Sequence, residues 1–194
     1  MRPSARAGFT LIEALFAMAL FAVVVVKITM VLDSATDASS QSSSAMTLED
    51  QARRVLDQVA YKVMGADRDA LFPDPESPNF STEFEFQASF GMDEGEEVFG
   101  PMEWVGSEGT SVVWKENPAM PEERRVKWCN LVRPFFAGEV ANGVDDNGNG
   151  LTDEDGLSFT LKGNAVTIRL CLELPRREGH PLMQYVETVV TVRN

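Results

Sequence analysis

Oxygen-bearing side chains recur at alternate positions in one short stretch, Asp145-Asp146-Asn147-Gly148-Asn149-Gly150-Leu151-Thr152-Asp153. A backbone that turns sharply at a glycine can aim such side chains, together with a carbonyl, at a common centre. That is calcium chemistry, because calcium takes about six to eight oxygen ligands at about 2.3–2.6 Å. The predicted set is Asp145, Asn147, Asn149, the Leu151 carbonyl and Asp153, holding calcium as a structural staple. The competing expectation is a turn that needs no ion, since Asn, Asp and Gly favour turns through local hydrogen bonds and left-handed conformers. The crowding of acids that otherwise repel one another favours calcium.

Glu13 is the second residue whose surroundings imply chemistry. It sits near the start of an apolar run over 9–26, and a carboxylate in a helix of hydrocarbon length costs several kcal/mol unless it has a partner. No basic residue is near it on that helix: Arg6 precedes the run, and Lys27 lies about 20 Å further on at a rise of about 1.5 Å per residue. The positive partner is therefore expected from another molecule. Such a pair would fix register between molecules, the best-attested use of a buried polar group.

The string Gly8-Phe9-Thr10-Leu11-Ile12-Glu13 and the apolar run that follows resemble the type IV pilin signal. The resemblance implies a leader, 1–8, removed by prepilin peptidase at the Gly8/Phe9 bond, N-methylation of Phe9, and pairing of Glu13 with the amine of a neighbouring subunit. A secretory signal peptide is cleaved after its apolar segment, whereas here the small residue precedes it. A plain single-span anchor needs only about twenty apolar residues and has no use for Glu13. The Asp/Asn/Gly stretch likewise resembles the front of an EF-hand loop, with a departure at the twelfth position. There the motif expects a bidentate Glu and this chain has Gly156, so Glu154 or Asp155 would have to substitute from another angle.

The elements that must position these residues follow from breaks and periodicity. No proline or glycine occurs between Phe9 and Met64, which predicts one long helix: a membrane or assembly half, 9–32, and an exported continuation, 33–65. Its serine-rich stretch, 34–45, reads as a solvated or weakly packed link, and Thr47 with Asp50 could cap a break there. Ala52, Val55, Leu56, Val59, Ala60, Val63 and Met64 then form an apolar stripe, with Glu49, Asp50, Arg53, Arg54, Asp57 and Lys62 on the solvated or partner-facing side. Alternating segments at 80–86, 111–115, 125–129, 157–162, 165–174 and 183–193 predict strands, with Gly163-Asn164 as a tight hairpin turn. The fold class is α+β, pilin-like: a long N-terminal helix packed on an antiparallel β-sheet head, 66–194, that carries the acidic loop 145–156. The last strands are similar to minor subunits of the PilW-like or GspJ-like kind.

Composition narrows the function. The chain has 194 residues and a net charge of −13, and loss of Arg2 and Arg6 would leave 15 basic side chains against 30 acidic. That balance repels nucleic acid, and the early arginines predict a cytoplasmic amino terminus with an exported remainder. Cys129 and Cys171 are the only cysteines, either a disulfide in an oxidising compartment or two buried thiols. The sole histidine, His180, falls in a predicted loop. The sequence holds no G-x-S-x-G, H-E-x-x-H or phosphate-loop motif, and Trp104, Trp114 and Trp128 read as core, so no enzymatic activity is expected.

The expected role is a minor pilin or pseudopilin acting in initiation or assembly of a type IV pilus or type II secretion pseudopilus. Its expected partners are other pilins or pseudopilins, prepilin peptidase and the bacterial inner membrane, with a single pass and a periplasmic head. The alternative is a membrane-anchored, calcium-dependent adhesion or binding module that does not polymerise.

Overall fold

A computed structural model describes residues 10–76, 79–93, 95–176 and 180–192. The chain divides into two compact units, Met1–Ser44 and Ala45–Asn194. A single helix, α1 (Leu11–Met64, 54 residues), supplies the described secondary structure of the first unit and the opening element of the second. It stops where sequence chemistry says it should. Gly65 follows at once, and Gly65 N–H and Ala66 N–H donate to the Lys62 and Val63 carbonyls in tightened turns at 3.2 and 3.0 Å. Lys62 adds a positive charge to the last turn, where the helix dipole favours it.

Within the first unit every described residue over 10–43 is exposed, and the helix there is long and apolar enough to cross a membrane. The serine-rich stretch remains helical, with no break at Thr47. Its hydroxyls satisfy themselves on the helix. Thr29, Ser34, Thr36 and Ser44 donate to carbonyls four residues back at 2.7–2.9 Å, and Ser40 donates to Asp37 at 2.8 Å. Such back-bonding gives these hydroxyls a partner within the helix, at a slight cost to helix stability.

In the second unit the stripe is core. Leu48, Ala52, Val55, Leu56, Val59, Ala60 and Val63 are buried, one turn more than the sequence predicted, while Met64 is 53% exposed. The strands form two antiparallel sheets. One contains β1 (Glu83–Asp93), β2 (Glu96–Glu108), β3 (Ser111–Glu116) and β4 (Arg124–Cys129) in that order. The other contains β5 (Leu157–Lys162), β6 (Ala165–Leu174) and β7 (Leu182–Thr191). Phe84 of β1 and Phe159 of β5 join them, their rings 4.7 Å apart and tilted by 47°. Beside that contact Ser81 and Phe159 exchange backbone hydrogen bonds at 2.9 and 2.8 Å. Both phenylalanines are fully buried in one apolar cluster with the α1 stripe and Leu157, Leu161, Ile168, Leu170 and Leu172.

The hairpin at Gly163-Asn164 forms as predicted, with Lys162 opposite Ala165 and Gly163 at φ +60. β2 is an element that the alternation did not disclose. Its register with β1 slips where Gln87 faces Met102 and Ser89 faces Phe99, which leaves Pro101 at an irregularity, where a strand tolerates proline. Lys62 is half-buried and has a partner within the fold. It pairs with Glu103 at 2.7 Å and lies 4.0 Å from the ring centre of Trp114, and Trp114 Nε1–H donates to the same Glu103. This clasp ties the end of α1 to β2 and β3. Trp104 and Trp114 are buried, as expected of core residues, and Trp128 is partly buried against the same cluster.

Candidate functional site

Gly8 and Phe9, the proposed processing positions, lie outside the described residues. Glu13 is described, and its environment adds something the sequence argument overlooked. Its Oε2 accepts from Thr10 N–H at 3.2 Å and from the Thr10 hydroxyl at 3.1 Å, while Glu13 N–H donates to Thr10 Oγ1 at 3.4 Å. This is a reciprocal capping box, signalled in the sequence by Thr10-x-x-Glu13. The carboxylate thus helps start α1 as well as carrying charge. Hydrogen bonds to Thr10 satisfy it as an acceptor, but no cation among the described residues pairs with it.

The acidic loop turns in the way its composition dictates. Asp145 Oδ1 accepts from Gly148 N–H at 2.6 Å and Asn149 N–H at 3.2 Å, and its Oδ2 accepts from Gly150 N–H at 2.8 Å. Asn147 Oδ1 accepts from Asn149 N–H, and Asn149 Oδ1 from Leu151 N–H, at 2.9 and 2.8 Å. Gly148 and Gly150 take φ of +75 and +89, a conformation that disfavours any side chain. These are successive Asx turns, in which the side-chain oxygens of Asp145, Asn147 and Asn149 each accept from N–H groups further along the loop. Asp153 is turned elsewhere, accepting from Asn142 N–H at 2.9 Å and Gly143 N–H at 3.0 Å.

The twelfth loop position has a physical explanation. A Cβ on Gly156 would lie 1.9 Å from the Arg133 carbonyl oxygen, so no glutamate fits there. Gly156 instead donates to the Pro134 carbonyl at 3.3 Å and accepts from Cys171 N–H at 2.6 Å. Two other acids reach the loop. Glu139, 1% exposed, accepts from Asn147 N–H through Oε1 at 3.1 Å. Glu154, 0% exposed, accepts from Asn149 Nδ2 at 2.6 Å and from the Ser158 hydroxyl, and lies 3.5 Å from Arg169.

Burial pushes the Glu154 carboxyl above the ordinary carboxylate range, against the pull of Ser158, Asn149 and Arg169, and the nearby Glu139 charge adds to the rise. Asp155 is also raised by burial. No three His, Cys, Asp or Glu side chains among the described residues converge as a metal cluster. A cation here would depend on asparagine and backbone oxygens beside the carboxylates, a donor set that suits calcium. Sequence reasoning had no signal for Glu139, because only the folded chain brings it to Asn147.

Cys129 and Cys171 are free, buried thiols, and burial lifts the Cys171 thiol to about 11. His180 is exposed.

Residues 3–26 match the family model described as prokaryotic N-terminal methylation motif. The match supports a type IV pilin-like protein. Its α+β architecture of one long N-terminal helix and antiparallel sheets is pilin-like too. The motif implies prepilin peptidase processing and pilin assembly in general, in a family whose role is structural, and the apolar helix is consistent with an inner-membrane anchor. No curated protein and no solved structure matches the chain.

Proposed function

We propose that this pilin-like chain is a minor pilin or pseudopilin that acts in initiating or assembling a type IV pilus or a type II secretion pseudopilus. The leader 1–8 is cytoplasmic, 9–32 is held in the inner membrane until assembly, and the β-rich body lies in the periplasm. Glu13 carries this reading. Its carboxylate stands in an apolar helix none of whose described residues over 10–43 is buried within the chain, and its hydrogen bonds are satisfied by Thr10 while its charge is not. The missing cation is supplied by the amine of another subunit. The surface over 11–32, apolar apart from Glu13, Lys27 and Thr29, is covered in turn by lipid and by neighbouring helices.

The experiment compares Glu13→Gln with Glu13→Ala in cells, scoring membrane insertion and incorporation into filaments. Glutamine keeps an oxygen for Thr10 and removes only the charge. If the charge is what pairs subunits, both variants insert normally and both lose most incorporation. Full incorporation of Glu13→Gln would reduce Glu13 to a helix cap and favour an anchored adhesion or binding module that does not polymerise.

A further inference from the structure

Two buried polar atoms among the described residues lack a hydrogen-bond partner, Glu139 Oε2 and Arg169 Nη1. Arg169 is nonetheless compensated, with Glu154 at 3.5 Å and Glu187 at 2.5 Å. Glu139 is not. Its other oxygen is fixed to Asn147 N–H, so the carboxylate is held against the 145–151 loop while Oε2 stays empty-handed in a place water does not reach. A buried carboxylate is costly unless it is paired or coordinates a metal.

Charge sharpens the imbalance. Glu139 and Glu154 are both essentially inaccessible, and Arg169 divides its single charge between Glu154 and Glu187. Among the described residues, therefore, the ion pairs beside the loop give Glu154 only a shared guanidinium and Glu139 none. We propose that a divalent cation of the calcium class binds between Glu139 and the 145–151 loop, with Glu139 Oε2 and the Glu154 carboxylate as its anionic ligands. The remaining positions are filled by side-chain and backbone oxygens of Asn147 and Asn149.

The donor chemistry selects the ion. Every candidate ligand is oxygen, which disfavours soft metals, and the mixture of carboxylate, amide and carbonyl oxygens in a wound loop suits the large, irregular shell of calcium better than the strict octahedron of magnesium. The two glutamates also take over the task that Gly156 cannot perform, since its close approach to Arg133 excludes an acid at the usual place. The proposal differs from the five-residue set read from the sequence by putting the decisive charge outside the loop. It does not depend on whether the chain polymerises.

The test uses the full chain in detergent, stripped with EDTA and titrated with calcium or magnesium chloride while heat and melting temperature are recorded. Calcium should bind once and saturably, and at a hundredfold excess over Kd should raise the melting temperature by about 5 °C or more. Glu139→Gln should weaken calcium binding by at least about tenfold while melting no lower than wild type in EDTA, because it removes an uncompensated charge. Glu154→Gln should weaken it as well. Absence of calcium heat together with an unchanged melting temperature would overturn the site. So would a Glu139→Gln variant that binds calcium as wild type does, or one more stable than wild type by the same margin in EDTA and in calcium, which would mean that calcium does not relieve the buried charge.

Discussion

The residues before Ala45 and those after it follow opposite rules of burial. Over 10–43 every described side chain is exposed within the lone chain, Leu15, Phe16 and Phe21 included, whereas the body that follows encloses Phe84, Phe86 and Phe159 completely. One region has an interior of its own and the other must borrow one. An exposed apolar surface of that extent marks a site for lipid or for other chains. Folding stability is thus concentrated in the second region and association in the first, so equivalent substitutions should register in different assays.

The sharpest way to break this contrast is to delete one aromatic ring from each side. Phe159→Ala should cost about 3–5 kcal/mol in denaturant unfolding, the usual loss for emptying a packed aromatic site. Phe16→Ala should move that same unfolding transition by less than about 0.5 kcal/mol yet reduce filament incorporation. A Phe16→Ala variant with a weakened body would show that the two regions are not energetically separate.

A smaller effect is expected where α1 is tied to the sheet. Lys62→Met keeps the side-chain length but strands Glu103 against Trp114, and should cost about 1–3 kcal/mol, the penalty for a buried polar group that loses its partner. Glu103→Gln in the same background should recover part of it, measured as a double-mutant cycle. No recovery would mean that Lys62 contributes through its packing on Trp114 alone.

The smallest effect is a slope. Burial raises the folded pKa of Glu154 above the 4.5 of an ordinary glutamate, so between those two values the folded chain holds a proton that the unfolded chain has released. Stability linked to this group is intact below about pH 4.5 and is lost as pH rises from there through the folded pKa. Unfolding measured in EDTA should show that decline, and Glu154→Gln should flatten it. Identical pH slopes for wild type and Glu154→Gln would contradict the burial of this carboxyl.

Legibility from the sequence followed the range of each interaction. β5 and β6 were predicted at 157–162 and 165–174 and occupy those spans, because their hairpin is closed by a local turn around Gly163. The apolar stripe was legible for the same reason, its neighbours being three or four residues apart. β2 escaped because Glu96, Glu97, Glu103 and Glu108 dilute its pattern and Pro101 falls at a register slip. Helix periodicity puts Lys62 on the side facing solvent or a partner, but it cannot foresee Glu103 across the fold. In the loop the Asx turns were readable from composition, as one of two alternatives. Glu139 was invisible, since its only local feature is an acid in an already acidic chain. Thr10 was readable and was passed over in favour of the charge on Glu13.

The hydroxyls of Thr29, Ser34, Thr36, Ser40 and Ser44 all turn back onto their own helix. Each of these five hydroxyls carries its own acceptor, so on the proposed membrane reading none of them by itself marks where the bilayer ends. If the chain spans a bilayer as proposed, Asp33 and Asp37 are the better markers, because a carboxylate in hydrocarbon is costly without a partner. On that reading two carboxylates one turn apart, more than the run of serines between 34 and 45, set where water begins.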